Sequence, residues 1–94
     1  MQVTNAIFDV PFGGSNPSWP IRVIVAGSDF EHRASPVVAK VGNVTVEAIL
    51  VTLAGDGFVG LLATTPAVGD TLKVGYLDTD LIDTNIPFQT PVVP

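Results

Sequence analysis

The sequence has no cysteine, and only 14% of its 94 residues are charged, whereas about 25% is usual for a soluble domain. Without cysteine the chain has neither a disulfide scaffold nor a zinc site with thiolate ligands. Four Lys and Arg residues stand against nine Asp and Glu, for a net charge of −5. Nucleic acids and anionic membranes are bound by basic surfaces, so this balance argues against both as partners.

Long apolar runs are also missing, although hydrophobic residues make up 47% of the chain. No run approaches the roughly 20 residues that span a bilayer. The N-terminus has no basic residue followed by an apolar run, so we expect no secretory signal. These absences leave the location open, and the assemblies considered below would place the protein in a virion or a surface assembly.

Nine glycines and eight prolines are spread along the chain, and β-branched residues fill the intervals. This pattern predicts an all-β fold, an antiparallel immunoglobulin-like sandwich of about seven strands. Gly42-Asn43 predicts a tight hairpin turn. The clearest strands are predicted at 21–25, 37–41, 44–53, 58–63, 71–76 and 84–88.

The length allows one domain, 1–94. We expect a leading strand and loop at 1–20 and the core strands at 21–77. An acidic turn, an edge strand and a proline-rich tail are expected at 78–94.

Residues 7–76 resemble the IPT/TIG family of immunoglobulin-like domains. The resemblance rests on the Pro- and Gly-containing opening at 7–14, on Gly27-Ser28-Asp29-Phe30 after a β-branched strand, and on the Thr-Pro and Gly turn within 65–74. It implies an immunoglobulin-like sandwich in which the glycine permits a turn with positive φ and Phe30 closes one end. Modules of that family serve as receptor pieces, dimerisation modules, companions of polysaccharide enzymes and virion parts.

His32 is the only histidine, and it lies in the most charged stretch of the chain, 29–33. A general base oriented by Asp29 or Glu31 would need a nucleophile or a second proton-transfer group, and the sequence offers no such constellation. We therefore expect His32 to be a solvated loop residue and the protein not to be an enzyme.

Asp78, Asp80 and Asp83 concentrate carboxylates within a short segment. Oxygen ligands of this kind could gather around Ca²⁺, although the central glycine and the final glutamate of an EF-hand loop are missing. The alternative is an acidic turn whose side chains accept hydrogen bonds from nearby backbone N–H groups. No other cofactor is indicated.

Strand alternation predicts an apolar surface on two neighbouring strands. If Val44, Val46 and Ala48 face the core, then Ile49, Val51 and Leu53 face outward, and Val59 and Leu61 lie on the outer face of the next strand. A bulge near Ala48 would exchange the faces and remove part of this surface. Otherwise the patch marks a protein contact.

These patterns favour a non-enzymatic structural subunit that packs against copies of itself or into a larger assembly. Candidates are a phage capsid-decoration or tail component and a surface-layer or filament unit. Trp19, in an irregular segment, is a possible anchor of the contact. The alternative is a carbohydrate- or ligand-binding module that uses Trp19 and nearby loops.

Overall fold

The computed structural model describes residues 1–10 and 20–91, and eight strands make up its regular structure. Within these ranges no helix is long and apolar enough to cross a membrane. The strands are β1 (Gln2–Asp9), β2 (Ile21–Ser28), β3 (Val37–Val41), β4 (Val44–Thr45), β5 (Glu47–Val51), β6 (Gly57–Leu62), β7 (Thr71–Tyr76) and β8 (Ile82–Pro87).

The strands form two four-stranded sheets in which every pair is antiparallel. Sheet A has the order β1-β2-β6-β5, and sheet B has the order β4-β3-β7-β8. This order matches an immunoglobulin-type sandwich with an eighth strand added beside β3. The predicted fold class is confirmed, with eight strands instead of about seven.

The extra strand arises because the predicted strand 44–53 is divided between the two sheets. β4 pairs with β3 in sheet B, whereas β5 pairs with β6 in sheet A. Val46 lies between them, buried, with its N–H donating to the carbonyl of Ala39 at 2.9 Å. The chain therefore crosses from one sheet to the other at Val46.

The core lies between the sheets and is built from the buried residues of β2, β3, β6 and β7, most of which alternate with half-buried or exposed ones. A fully buried Val, Leu or Phe side chain contributes about 1.5–3 kcal/mol to stability, because its apolar surface is removed from water. The largest fully buried side chains are Phe58, Phe88, Leu62, Leu72, Val23, Val41 and Val74.

The turn after β2 closes one end of the sandwich. Phe30 is buried there and packs edge-on against Phe58, with ring centroids 5.5 Å apart. The positive φ of this turn, 61°, belongs to Asp29 and not to Gly27, which corrects the role expected from the sequence. Gly27 is needed for another reason: a Cβ at this position would collide with the carbonyl of Gln2 in β1.

Tyr76 ties the loop between β2 and β3 to the end of β7. Its hydroxyl accepts a hydrogen bond from the N–H of Glu31 at 2.9 Å and donates to the carbonyl of Asp29 at 3.3 Å. The guanidinium of Arg33 lies 4.4 Å from the centre of the same ring. These contacts order the charged loop that follows β2.

Candidate interaction surface

A β-bulge interrupts the pairing of β5 with β6. Glu47 is opposite Leu61 and Leu50 is opposite Val59, so two residues of β5 occupy the interval that Gly60 alone occupies in β6. The first of the two, Ala48, has a φ of 55°. A bulge reverses the sides on which the following residues lie, because side chains alternate along a strand.

The bulge corrects the expected orientation of two residues. Ile49 and Val51 are half-buried and pack against the core, so the expectation that they face outward is wrong. Leu50, which lies between them, faces outward and is 71% exposed. The alternative that placed a bulge near Ala48 is the one the structure contains.

Leu53 lies beyond the end of β5 and is 99% exposed in the turn that leads to β6. It therefore does not belong to the surface of the sheet. Val59 and Leu61, by contrast, are half-buried and alternate with the buried residues of β6, on the outer face where the sequence placed them.

An apolar row crosses the outer face of sheet A. Ile7 of β1 is opposite Ile24 of β2, Ile24 is opposite Val59 of β6, and Val59 is opposite Leu50 of β5. Ile7 is 52% exposed. We call these four residues the apolar row; it places one aliphatic side chain on each strand of the sheet.

Ile7 and Ile24 were not identified from the sequence. For Ile24 the signal was present: Arg22 in the same strand faces outward, and alternation places Ile24 on the same side. For Ile7 there was no such signal, because the length of β1 follows from its pairing with β2.

The next line of outward side chains carries both charge signs. Asp9 is opposite Arg22, Arg22 is opposite Leu61, and Leu61 is opposite Glu47. The guanidinium of Arg22 donates to both carboxylate oxygens of Asp9, at 2.9 and 2.5 Å. These hydrogen bonds to Asp9 raise the pKa of Arg22. The apolar row thus has a charged border on one side.

A line of polar side chains crosses the outer face of sheet B. Lys40 is opposite Thr45 on one side and Lys73 on the other, and Lys73 is opposite Asp83. The two faces of the sandwich therefore differ in chemistry: one presents an aliphatic row and the other presents lysines, a threonine and a carboxylate.

The three aspartates of the possible calcium site have separate partners. Asp78 pairs with Arg33 at 3.3 Å in the turn after β7. Asp83 accepts hydrogen bonds from the Thr71 hydroxyl and from the N–H of Asn85, at 3.1 and 2.9 Å. Asp80 is exposed in the connecting turn. Among the residues that the structure describes, no three His, Cys, Asp or Glu residues are grouped so that they could hold a metal ion.

His32 and Trp19 are the other two residues that the sequence singles out. Nε2 of His32 is 2.9 Å from the Thr52 carbonyl oxygen, to which it donates when it carries the proton, and the side chain is exposed. Trp19 lies outside the described residues, and the hypotheses that depend on it stay predictions.

Comparisons of the chain with models of known families, with curated proteins and with solved structures find no match. The outer face of sheet A is accordingly the feature from which a function is inferred.

Proposed function

We propose that this protein is a non-enzymatic interaction subunit that packs the outer face of sheet A against other subunits, copies of this chain among them, in a larger assembly. The observation that carries the proposal is the apolar row, which extends across all four strands of one sheet. Capsid decoration, a tail component and a surface-layer or filament unit are assemblies of this kind.

The physical basis is the cost of leaving the row in water. Exposed aliphatic area costs about 25 cal/mol per Å², and a neighbouring protein surface removes that cost. The centre of a protein interface is depleted in charge and its rim is polar. The apolar row with Asp9, Arg22 and Glu47 along its border has this arrangement.

Three polar groups of the described residues that a catalytic site could use have local partners instead. His32 contacts the Thr52 carbonyl, Arg33 pairs with Asp78, and Asp83 is held by Thr71. These contacts support the non-enzymatic part of the proposal, because a general acid or base needs a side chain directed at a substrate.

The proposal is tested by the mass of the purified chain in solution, measured by size-exclusion chromatography with light scattering from low to high micromolar concentration. We expect species larger than the monomer that shift to monomer in Val59→Asp and Leu50→Asp. The matched control is Val38→Asp, since Val38 is a half-buried valine of a central strand on the other sheet.

Circular dichroism is recorded for each variant, and only variants with the β-sheet spectrum of the wild type are compared. A wild-type chain that is monomeric at every concentration contradicts the proposal. So does a Val38→Asp variant that dissociates as completely as Val59→Asp. Glycan-array binding that is lost in Trp19→Ala would favour the carbohydrate-binding alternative.

A further inference from the structure

The edges of the two sheets are not equally protected against pairing with another strand. β4 has only two residues, and β5 has five residues with the bulge at Ala48. β8 contains Pro87, a positive φ at Asn85 and a register shift. Short length, bulges and proline are the devices with which proteins block pairing at an edge.

β1 is the exception. It has eight residues, contains neither proline nor lysine, and its one register shift lies at its beginning, between Val3 and Asn5. From Asn5 to Asp9 it pairs regularly with β2, and within residues 1–10 and 20–91 no strand pairs with its other side. Within Asn5–Asp9, every second residue therefore directs its backbone N–H and C=O groups to this edge, where no described strand receives them.

The edge is held in a fixed position from inside. Ala6 and Phe8 pack against the core, and the ring of Phe8 meets Phe88 of the following sheet edge-on at 5.0 Å between centroids. A groove of about 400 Å³ runs beside residues 5–8 and separates them from the segment after β8. An incoming strand would need little rearrangement of β1.

We infer that β1 pairs with β1 of a second copy of this chain, antiparallel and centred on Ile7, so that two A sheets become one eight-stranded sheet. This goes beyond the proposed function, because the outer face could bind its neighbours with β1 unpaired.

The sequence of the strand fits this register. The two copies are then related by a two-fold axis that is perpendicular to the sheet and passes between their Ile7 residues. Each residue of one β1 lies opposite the residue of the other β1 that is equally far from Ile7 in the opposite direction. Ile7 then meets Ile7 of the second copy, Ala6 meets Phe8, and Asn5 meets Asp9. The pairs are aliphatic with aliphatic, small with large, and amide with carboxylate, and no like charges are opposed.

Other centres fit less well. An axis at Phe8 would place Ile7 against Asp9, an aliphatic side chain against a carboxylate. An axis at Ala6 or Asn5 would bring the irregular stretch between Val3 and Asn5 into the ladder. Only the centre at Ile7 uses the whole regular part of the strand, and it joins the two apolar rows end to end.

Cysteine cross-linking tests the register directly, because the native chain has no cysteine. Paired residues of antiparallel strands have Cα atoms about 4.5–5.5 Å apart, within the range that a disulfide spans. We expect Ile7→Cys to form a disulfide-linked dimer on oxidation, and to do so equally in a Val59→Asp background, where association through the outer face is removed. The matched control is Asn5→Cys: two copies of residue 5 would be about 14 Å apart along the strands and should not cross-link.

A second pair of variants uses charge on the folded, uncross-linked protein. Asn5→Lys places an opposite charge against each Asp9 and should tighten dimerisation about tenfold, since two favourable pairs are formed. Asn5→Asp creates two like-charge pairs and should weaken it about tenfold. Both are read as dissociation constants from sedimentation equilibrium.

The outcomes separate this inference from the proposed function. If Val59→Cys cross-links while Ile7→Cys does so no faster than Asn5→Cys, the outer face associates and the edge pairing is wrong. If Ile7→Cys cross-links and Val59→Asp leaves the mass of the assembly unchanged, the edge pairing holds and the proposed function fails. Equal dissociation constants for Asn5→Lys and Asn5→Asp also overturn the register.

Discussion

The side chain of Val46 occupies the space that a side chain at Gly60 would require. Its Cγ1 is the atom nearest to the position that a Cβ of residue 60 would take, and Cγ1 of Ile49 lies 3.3 Å from the same position. Gly60 is the residue opposite the bulge of β5. The absence of a side chain in β6 thus allows β5 to turn Ile49 inward and leave Leu50 in the apolar row.

Gly60→Ala should destabilise the fold by about 1–3 kcal/mol, because the added methyl group overpacks this contact. The measurement is the free energy of unfolding in urea. In a Val46→Ala background the same substitution should cost less, since the nearest obstructing methyl group has been removed. Equal costs in the two backgrounds would contradict the packing described for Gly60.

Ala48→Gly should stabilise the protein by about 0.5 kcal/mol. An alanine with a φ of 55° carries a penalty of about 1–2 kcal/mol that glycine avoids, and the greater freedom of glycine in the unfolded chain offsets part of the gain. Ala26→Gly is the matched control: Ala26 is also exposed in a strand of sheet A but has an ordinary φ, so its replacement should destabilise. A loss of stability in Ala48→Gly as large as in Ala26→Gly would argue against the bulge.

How much of this architecture the sequence predicts depends on the element. The bounds of β3 and β7 agree with prediction because proline, glycine and the Gly42 turn delimit β-branched runs. The crossing at Val46 was missed, since 44–53 is uniformly strand-forming. The position of the crossing is set by which part of the run pairs with β3 in sheet B and which part pairs with β6 in sheet A, and local strand propensity does not reveal this.

The outer face of sheet A was predicted only in part, because its pattern also depends on strand pairing. Val59 and Leu61 follow simple alternation, which holds along β6. Ile49 and Val51 do not, because alternation fails at the first residue with a positive φ and Ala48 gives no sign of one in its residue type. A glycine at this position would have signalled the bulge.

Asp83 should make the stability of the fold sensitive to acid. The N–H of Asn85, then the Thr71 hydroxyl and then the charge of Lys73 lower the pKa of Asp83 below its ordinary value. A carboxyl whose pKa is lower in the folded state stabilises the fold above its unfolded pKa of about 3.9, and this contribution is lost as the pH falls through the folded value.

Thermal melts from pH 6 down to about pH 2 measure the effect. Asp83→Asn should lose less stability below about pH 4 than the wild type does, and Thr71→Val should lie between them. Identical acid profiles for all three proteins would show that the bonds to Asp83 do not favour its charged form.

Added Ca²⁺ should leave the melting temperature unchanged, and so should its removal with EGTA. The reason is that Asp78 and Asp83 are engaged by Arg33 and Thr71 at separate places. A rise of several degrees with Ca²⁺ that EGTA reverses and Asp80→Asn abolishes would instead establish a calcium site at this turn.

The two lysines of the chain, Lys40 and Lys73, stand directly opposite each other on sheet B. Reagents that modify lysine side chains, whether dyes or activated resins, therefore attach to the molecule from one side. A chain immobilised through them is oriented, with Ile24 and Val59 directed away from the support. Once the N-terminal amine of Met1 is blocked, the two lysines thus provide a chemical handle on sheet B that leaves the outer face of sheet A free.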